Sequence, residues 1–225
     1  MPDYTTYLSP FSWRYGSPEM RSIWSEVAKR SLWRQIWLAL AEVQSDYGLV
    51  TSDQLDEMRA WVNHVNVERS LEIESQIHHD LMAELKTYAE QCPLAGGSLH
   101  LGATSMDIED NADVLRMRQS LDLILEKLGS LLSVLADKID AWAEIPTIAF
   151  THLQPAEPTT LGYRLCQYAQ DLLEDHRDLT QIQTGLRGKG FKGAVGTGAS
   201  YGELIGTEHL ADFEARLSTR LDLLF

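Results

Sequence analysis

The sequence predicts an all-α protein, and three observations support this prediction. Apolar residues recur at helical spacing over most of the 225 residues, and no segment alternates apolar and polar residues over a useful strand length. Proline or glycine marks the segments between the periodic runs. The longest run, 105–144, contains no proline and would be about 60 Å long at ~1.5 Å per residue. A helix of that length needs partners of similar length, in a bundle or an oligomer.

Four helices are expected in the first part of the chain. Ser17 is a typical N-cap and Pro18 suits the first helical position, so a helix begins there. Ser25 begins a second helix after a kink, and Ser52 opens a shorter third helix. Helical spacing over 67–92 predicts one further helix, which ends because the next residue is a proline.

Three segments rich in glycine or proline are expected to be loops. They cover 94–104, 145–160 and 187–202. One long helix is expected over 105–144 and a second from Pro158 to about residue 186. We therefore expect an N-terminal helical domain over residues 1–104, followed over 105–225 by the first long helices of a central bundle.

The charge balance excludes several classes of function. The chain has 33 acidic and 19 basic residues and a net charge of -14, which argues against binding to nucleic acid or to an anionic membrane surface. Its two cysteines are too few for a disulfide framework, and because no apolar stretch reaches the required length, neither a leader nor a membrane span is expected. We expect a cytoplasmic protein with no nucleic acid and no membrane among its partners.

Neither a metal nor a cofactor is expected. The segment Gly188–Gly193 fits GxGxxG literally, but it follows a helix and not a strand, so the dinucleotide-binding motif lacks its structural context. His78 and His79 do not form an HExxH pair, and no two histidines stand four residues apart on one helix face.

Histidines beside the loops that flank the long helices are the candidates for acid–base chemistry. They are His79, His100 and His152. Asp80, next to His79, is placed to orient an imidazole. Thr104 and Ser105 stand at the start of the longest helix, whose first N–H groups and dipole favour an anion.

Two other groups of residues are expected to be structural. The tryptophans Trp24, Trp33 and Trp37 have the helical spacing of core residues. The glutamates Glu72, Glu74, Glu84 and Glu90 are typical of a solvated acidic face.

Five short segments carry a resemblance to a known family. In order they are Arg14–Tyr15 with Ser17–Trp24, then His78–Asp80, Thr104–Asp107, Thr151–Thr160 and Lys192–Thr197. Through these segments the chain resembles the adenylosuccinate lyases of the fumarase/aspartase superfamily along essentially its whole length. The five segments stand in the order and spacing of that family, which makes the resemblance specific.

The resemblance implies a carbon–nitrogen lyase of purine biosynthesis. Such enzymes release fumarate by β-elimination from adenylosuccinate, which gives AMP, and from SAICAR, the succinylated carboxamide ribotide, which gives AICAR. The resemblance also implies a small anionic nucleotide as substrate. It further implies a homotetramer, in which loops of three subunits build each active site.

The resemblance also implies roles for individual residues. His152 is the general acid that protonates the departing nitrogen, and His79 lies close to that acid and to the substrate. Arg14 and Tyr15 bind the phosphate. The remaining substrate-binding residues are His78, Asp80, Thr104, Ser105 and Thr151. His100 is expected to contact these residues and not the substrate.

The sequence departs from the family pattern in two places. The superfamily's signature loop, GSSxMPxKxNP, is absent, and with it the serine that acts as general base; Met106 also replaces a small residue. We therefore expect an N-terminal half that is inactive by itself. Two alternatives remain open: another lyase of the superfamily that acts on a different succinyl substrate, and a non-catalytic fragment or assembly module.

Overall fold

The computed structural model describes Tyr7 and residues 9–225, and these are mainly helical. The α-helices are α1 Pro18–Ile23, α2 Glu26–Ser45, α3 Ser52–Trp61, α4 Val67–Ile77, α5 Asp80–Gln91, α6 Ser105–Ala141, α7 Leu161–Gly185, α8 Ala199–Ile205 and α9 Leu210–Leu221. The strands are β1 Pro146–Thr151 and β2 Gln154–Thr160. With two short strands among these helices, the all-α prediction is confirmed. None of the described helices is long and apolar enough to cross a membrane.

The predicted starts of the first two helices are confirmed. The Ser17 hydroxyl accepts the Met20 N–H at 3.2 Å and caps α1, and the Ser25 hydroxyl accepts the Ala28 N–H at 3.2 Å and caps α2. The long run that begins at Ser105 forms α6, a helix of 37 residues. The starts of α1 and α2 each depend on a hydroxyl group three residues from the N–H that it caps, so both starts are visible in the sequence.

The prediction of one helix over 67–92 is wrong, because the chain breaks into α4 and α5. His78 takes a left-handed conformation, with φ of 55°, and ends α4. Ile73 and Leu81, on either side of the break, are both buried. The apolar spacing therefore continues across two helices that pack on one core, and it does not reveal the break between them.

The prediction of a loop over 145–160 is wrong, because β1 and β2 pair as an antiparallel hairpin. The pairing runs from Pro146 opposite Thr160 to Thr151 opposite Gln154. Strands usually show themselves by alternating burial. In β1 the burial alternates over 146–150, but residues 151–158 are all exposed and prolines interrupt β2, so the alternation is too short to reveal the hairpin.

The chain divides into two compact units. Unit 1 is the described part of Met1–Met117 together with Arg187–Phe225, and unit 2 is Arg118–Leu186. Helix α6 begins in unit 1 and ends in unit 2. The second segment of unit 1, Arg187–Phe225, contributes Phe191, Tyr201 and Phe213 to the same buried core as Trp37 of α2. The division into domains at residue 104 stays a prediction.

The tryptophan prediction is correct for two residues and wrong for the third. Trp33 and Trp37 are 2% and 1% exposed, but Trp24 is 44% exposed. Trp24 lies between α1 and α2, where the helical face is interrupted. The guanidinium carbon of Arg116 lies 4.6 Å from the centre of the Trp24 ring, so this partly exposed indole covers a buried cation.

Glu84 of α5 is also placed differently from the prediction, because its side chain is fully buried. Its Oε1 atom lies 2.6 Å from Nε of Arg34, and its Oε2 atom lies 3.3 Å from Nε of Arg30. Both arginines belong to α2 and are themselves buried. Glu84 is thus part of a buried ion network between α2 and α5 and does not belong to a solvated face.

Candidate functional site

The junction of α4 and α5 in unit 1 carries three of the candidate residues in sequence. His79 is the N-cap of α5, and its Nδ1 atom accepts the Met82 N–H at 3.4 Å. In a neutral imidazole with an accepting Nδ1 atom, the proton is on Nε2. His78 ends α4, so both histidines are placed by the turn between the two helices. The neutral His79 side chain is therefore set up as an Nε2–H donor.

Asp80 does not orient His79 through a hydrogen bond. The distance from Nδ1 of His79 to Oδ1 of Asp80 is 3.9 Å, and that same oxygen accepts the Leu81 N–H at 2.8 Å. Both side chains are nearly half exposed. The carboxylate would attract a protonated His79, but the backbone of α5 holds each of the two side chains.

His100 is tied to the core of unit 1. The Trp37 indole Nε1–H donates to Nδ1 of His100 at 3.0 Å, which again places the proton of the neutral ring on Nε2. Burial lowers the pKa of His100; the Asp107 carboxylate opposes this shift, and a charge on His79 adds to it. The structure thus brings His79 and His100 within electrostatic reach of each other, and burial favours the neutral form of His100.

Thr104 and Ser105 form the start of α6, as the sequence predicts. Helix α6 begins at Ser105, so Thr104 is the residue before the first helical position. The Thr104 N–H donates to Oδ2 of Asp107 at 3.2 Å. Both residues are partly exposed, and the positive end of a 37-residue helix lies beside their hydroxyl groups. This turn is suited to stabilise negative charge on a ligand.

Glu109, one turn beyond Ser105, is a titratable group that the sequence analysis missed. Burial, with the negative charge of Asp80 as the next cause, raises its pKa to about 7, and Lys29 opposes the shift. Asp110 and Asp113 raise it further. The spacing of four residues from Ser105 was the available signal, because residues four apart share a helix face.

Arg14 and Tyr15 lie in a short π-helical turn, Phe11–Tyr15. The guanidinium carbon of Arg14 is 4.5 Å from the centre of the Trp13 ring, and Tyr15 is 70% exposed. The contact between Arg14 and Trp13 lies within one turn, so it does not connect Arg14 to the α4–α5 junction. Both side chains are presented at the surface, where an anion can reach them.

Thr151 and His152 lie in unit 2, at the tip of the hairpin. Thr151 is the last residue of β1, and His152 and Leu153 form the two-residue turn, with φ values of 47° and 63°. Two positive φ values are typical of the turn that suits a tight hairpin, and glycine or asparagine usually occupies it. Leu153 is 93% exposed. His152 is therefore held at an exposed tip by the backbone of the turn.

Strained backbone conformations concentrate at the candidate histidines. Among the described residues, positive φ values outside glycine occur at His78, His100, His152, Leu153 and Asp222. Three of these five are candidate site residues. A positive φ is uncommon and costs free energy in residues other than glycine, although histidine tolerates it better than most. Such strain is often found at functional sites, and this supports the selection made from the sequence.

Comparison with known proteins assigns the chain to a group of enzymes. A family model described as lyase matches residues 17–216. A protein of Schistosoma mansoni named adenylosuccinate lyase is 39% identical over 211 residues, covering 93% of this chain and 44% of the relative. The adenylosuccinate lyase of Saccharomyces cerevisiae is 38% identical over 213 residues, with the same coverage of 93% and 44%. The chain thus spans less than half the length of these relatives.

A solved structure supports the same fold. The crystal structure of the 3-carboxy-cis,cis-muconate lactonizing enzyme from Pseudomonas putida superposes with a TM-score of 0.84 at 25% identity. The match covers 96% of this chain and 49% of the other chain. That enzyme's name describes a different reaction, so the fold alone does not decide the substrate.

Proposed function

We propose that this chain, which belongs to the lyase family whose model matches residues 17–216, supplies part of the active site of an adenylosuccinate lyase. The reaction is the β-elimination of fumarate from adenylosuccinate, which gives AMP, and from SAICAR, which gives AICAR. The observation that carries the proposal is the similarity to enzymes of that name over 93% of the chain. The strained geometry at the candidate histidines gives it independent support.

The first chemical step needs donors for a developing negative charge. Removal of a proton from the carbon beside a carboxylate produces a dianionic intermediate, which preorganised hydrogen-bond donors stabilise. Thr104 and Ser105, at the positive end of α6, are the donors in this proposal. The signature loop whose serine would remove the proton is not among these 225 residues.

The second step needs a general acid for the departing nitrogen. An imidazole suits this role because its pKa lies near the working pH. We assign it to His152, at the tip of the hairpin. His79 presents Nε2–H to the substrate, and His100, whose pKa is lowered by burial, supports the junction.

The substrate in this proposal is a small anionic nucleotide. Arg14 and Tyr15 bind its phosphate, for which the planar guanidinium group is well shaped. His78, Asp80 and Thr151 contact the rest of the substrate. The proposal requires neither a metal nor a cofactor. It includes a cytoplasmic homotetramer in which loops of several subunits complete each site.

The test is the cleavage of adenylosuccinate by the full-length protein that contains this sequence. We expect turnover, followed by the change in ultraviolet absorbance, and a loss of at least about 100-fold in kcat for His152→Ala. Leu153→Ala is the matched control, because it changes the exposed neighbour in the same turn and should leave kcat within about twofold of the wild type.

Absence of adenylosuccinate turnover, or a His152→Ala variant with unchanged kcat, would refute the proposal. Turnover of argininosuccinate or malate in place of adenylosuccinate would establish another lyase of the superfamily. No turnover of any of these substrates would support a non-catalytic role. The similarity in fold to a muconate lactonizing enzyme is the reason to include substrates other than adenylosuccinate.

A further inference from the structure

A fully buried carboxylate in the first turn of α6 joins two loops of unit 1. The side chain of Asp107 is 0% exposed. Its Oδ1 atom accepts from Nζ of Lys189 at 2.6 Å. Its Oδ2 atom accepts from the hydroxyl of Tyr201 at 3.0 Å, and from the N–H groups of Thr104 and Gly193 at 3.2 Å each. Four donors thus converge on one carboxylate.

Most of these donors come from a distant part of the sequence. Lys189, Gly193 and Tyr201 lie 82, 86 and 94 residues after Asp107. A residue that only capped the helix would need the Thr104 N–H and no more. Asp107 therefore connects the start of α6 to the glycine-rich segment 187–198 and to α8.

The glycine-rich segment is held to α6 at a second point, one turn further along. The side-chain amide of Asn111 donates to the Gly190 carbonyl at 3.1 Å and accepts the Gly190 N–H at 3.3 Å. Asn111 is 0% exposed. A Cβ atom on Gly188 would lie 2.5 Å from Oδ1 of Asn111, so any other residue there would have to displace the Asn111 side chain.

The loop before α6 is also supported from α8. The hydroxyl of Ser200 donates to the Gly102 carbonyl at 2.7 Å. A Cβ atom on Gly102 would lie 2.8 Å from Leu204 and 3.1 Å from Tyr201. The backbone from Gly102 to Thr104 is thus held from the same side as the Asp107 carboxylate.

We propose that Asp107 is a positioning residue, which fixes the Thr104–Ser105 turn by tying it to the glycine-rich segment 187–198. This role rests on the proposed function, in which Thr104 and Ser105 face the substrate. An amide cannot replace the carboxylate, because its NH2 group would face donors and not acceptors, and because Lys189 would lose its counter-ion. Holding the Thr104–Ser105 turn therefore requires the negative charge of Asp107, and an uncharged side chain of the same shape is not sufficient.

The first test measures hydrogen exchange in this chain with Asp107→Asn. We expect faster amide exchange in 100–106 and in 188–198 together, by about tenfold or more, because both segments lose the same acceptor. Glu57→Gln is the matched control: the Glu57 carboxylate accepts the N–H groups of Leu94 and Ala95, each at 2.8 Å, in the same unit. It should affect 94–95 and leave both Asp107 segments unchanged.

A second variant keeps the test decisive if Asp107→Asn does not fold. Lys189→Met preserves Asp107 and removes one donor from the glycine-rich segment. We expect it to speed exchange in 188–198 and, to a smaller extent, in 100–106. Faster exchange in 188–198 with no change in 100–106, in either variant, would overturn the coupling.

The second test separates positioning from simple stability. In the full-length protein, Asp107→Asn should lower kcat about tenfold to 100-fold with KM within about threefold, because the misplaced donors act on the intermediate. The imidazole of His100, followed by NMR, should titrate at lower pH in the variant, since a nearby negative charge is lost.

The two proposals fail in different ways. A wild-type protein without adenylosuccinate turnover refutes the proposed function, while the exchange experiment still tests the coupling. An active Asp107→Asn protein with unchanged kcat and coupled loosening of both segments refutes the positioning role alone.

Discussion

The α4–α5 junction of unit 1 and the hairpin tip of unit 2 hold their histidines by different means. Both contain histidines with positive φ, at His78 and at His152. In unit 1 the supporting groups are buried, as with Glu84 of α5 and Trp37 beside His100. In unit 2 the turn lies at an exposed tip. The strained backbone is thus offset by tertiary contacts in one region and by the hairpin itself in the other.

This difference bears on which parts of the site this chain can organise alone. The tautomers of His79 and His100 are set by hydrogen bonds within unit 1. The position of His152 depends on a two-residue turn whose neighbours in sequence are exposed. We therefore expect changes in the core to affect the junction strongly and the hairpin little.

The largest effect is expected from Glu84→Ala, which tests the buried ion network between α5 and α2. The variant leaves Arg34 buried without the Glu84 carboxylate, while Arg30 keeps Glu26 and Glu74, and we expect it to lower the free energy of unfolding by about 3–5 kcal/mol. Urea unfolding followed by circular dichroism measures this loss. Amide exchange should rise at 79–83 and stay unchanged in the hairpin.

The control for this variant is Glu90→Ala on the same helix. Glu90 pairs with Arg69 at 2.6 Å, but both side chains are substantially exposed, so the expected loss is below about 1 kcal/mol. Equal losses for the two variants, or faster exchange in the hairpin of Glu84→Ala, would contradict the contrast between the two regions.

A smaller, pH-dependent effect is expected at Glu109, beside the junction. Its pKa is about 7 in the folded protein, above the ordinary value of 4.5. Between these values the folded protein keeps a proton that the unfolded chain has lost, so stability falls as the pH rises from about 4.5 to about 7. Glu109→Gln removes this loss. At pH 8 we expect a gain of about 1 kcal/mol over wild type, after allowing for partial exposure.

Unfolding measured at pH 4 and pH 8 tests this prediction. The two proteins should differ little at pH 4, where Glu109 is protonated in both states. Asp110→Asn, the exposed neighbour, serves as control: it keeps Glu109, so its difference in stability from wild type should change much less between pH 4 and pH 8. A constant difference between wild type and Glu109→Gln at both pH values would argue against the raised pKa.

The smallest effect is expected in the hairpin, from Leu153→Gly. Leu153 has φ of 63° and is 93% exposed, so glycine removes backbone strain and loses almost no packing. Protection of the hairpin amides against exchange should increase by about 0.5–1 kcal/mol. Leu153→Ala keeps the strained backbone and should bring no gain. Equal protection in the two variants would show that the turn carries no strain.

Local signals made much of the fold predictable. The capping hydroxyls of Ser17 and Ser25 act within three residues, and the apolar spacing of α6 repeats along one helix. The candidate histidines were also identified from their positions beside loops. Several of these positions have the strained backbone that function often requires.

Other features were not visible because their causes lie outside the local sequence. The break at His78 lies between two helices that continue one apolar pattern. Glu84 belongs to a series of glutamates in the sequence, and only the arrival of Arg30 and Arg34 from α2 makes its burial favourable. The hairpin is exposed on both faces near its tip, so buried and exposed residues do not alternate there.

The sequence by itself determined the helical class, most of the helix starts, the lyase resemblance and the choice of candidate residues. Each of these depends on spacing within a few residues or on short motifs. The tertiary structure decided which charges are buried and which loops are joined. Asp107 is the clearest case, because three of its four donors lie 82 to 94 residues away and become neighbours only when the chain returns to α6. A buried carboxylate is stable only where such donors converge, and local sequence does not encode that convergence.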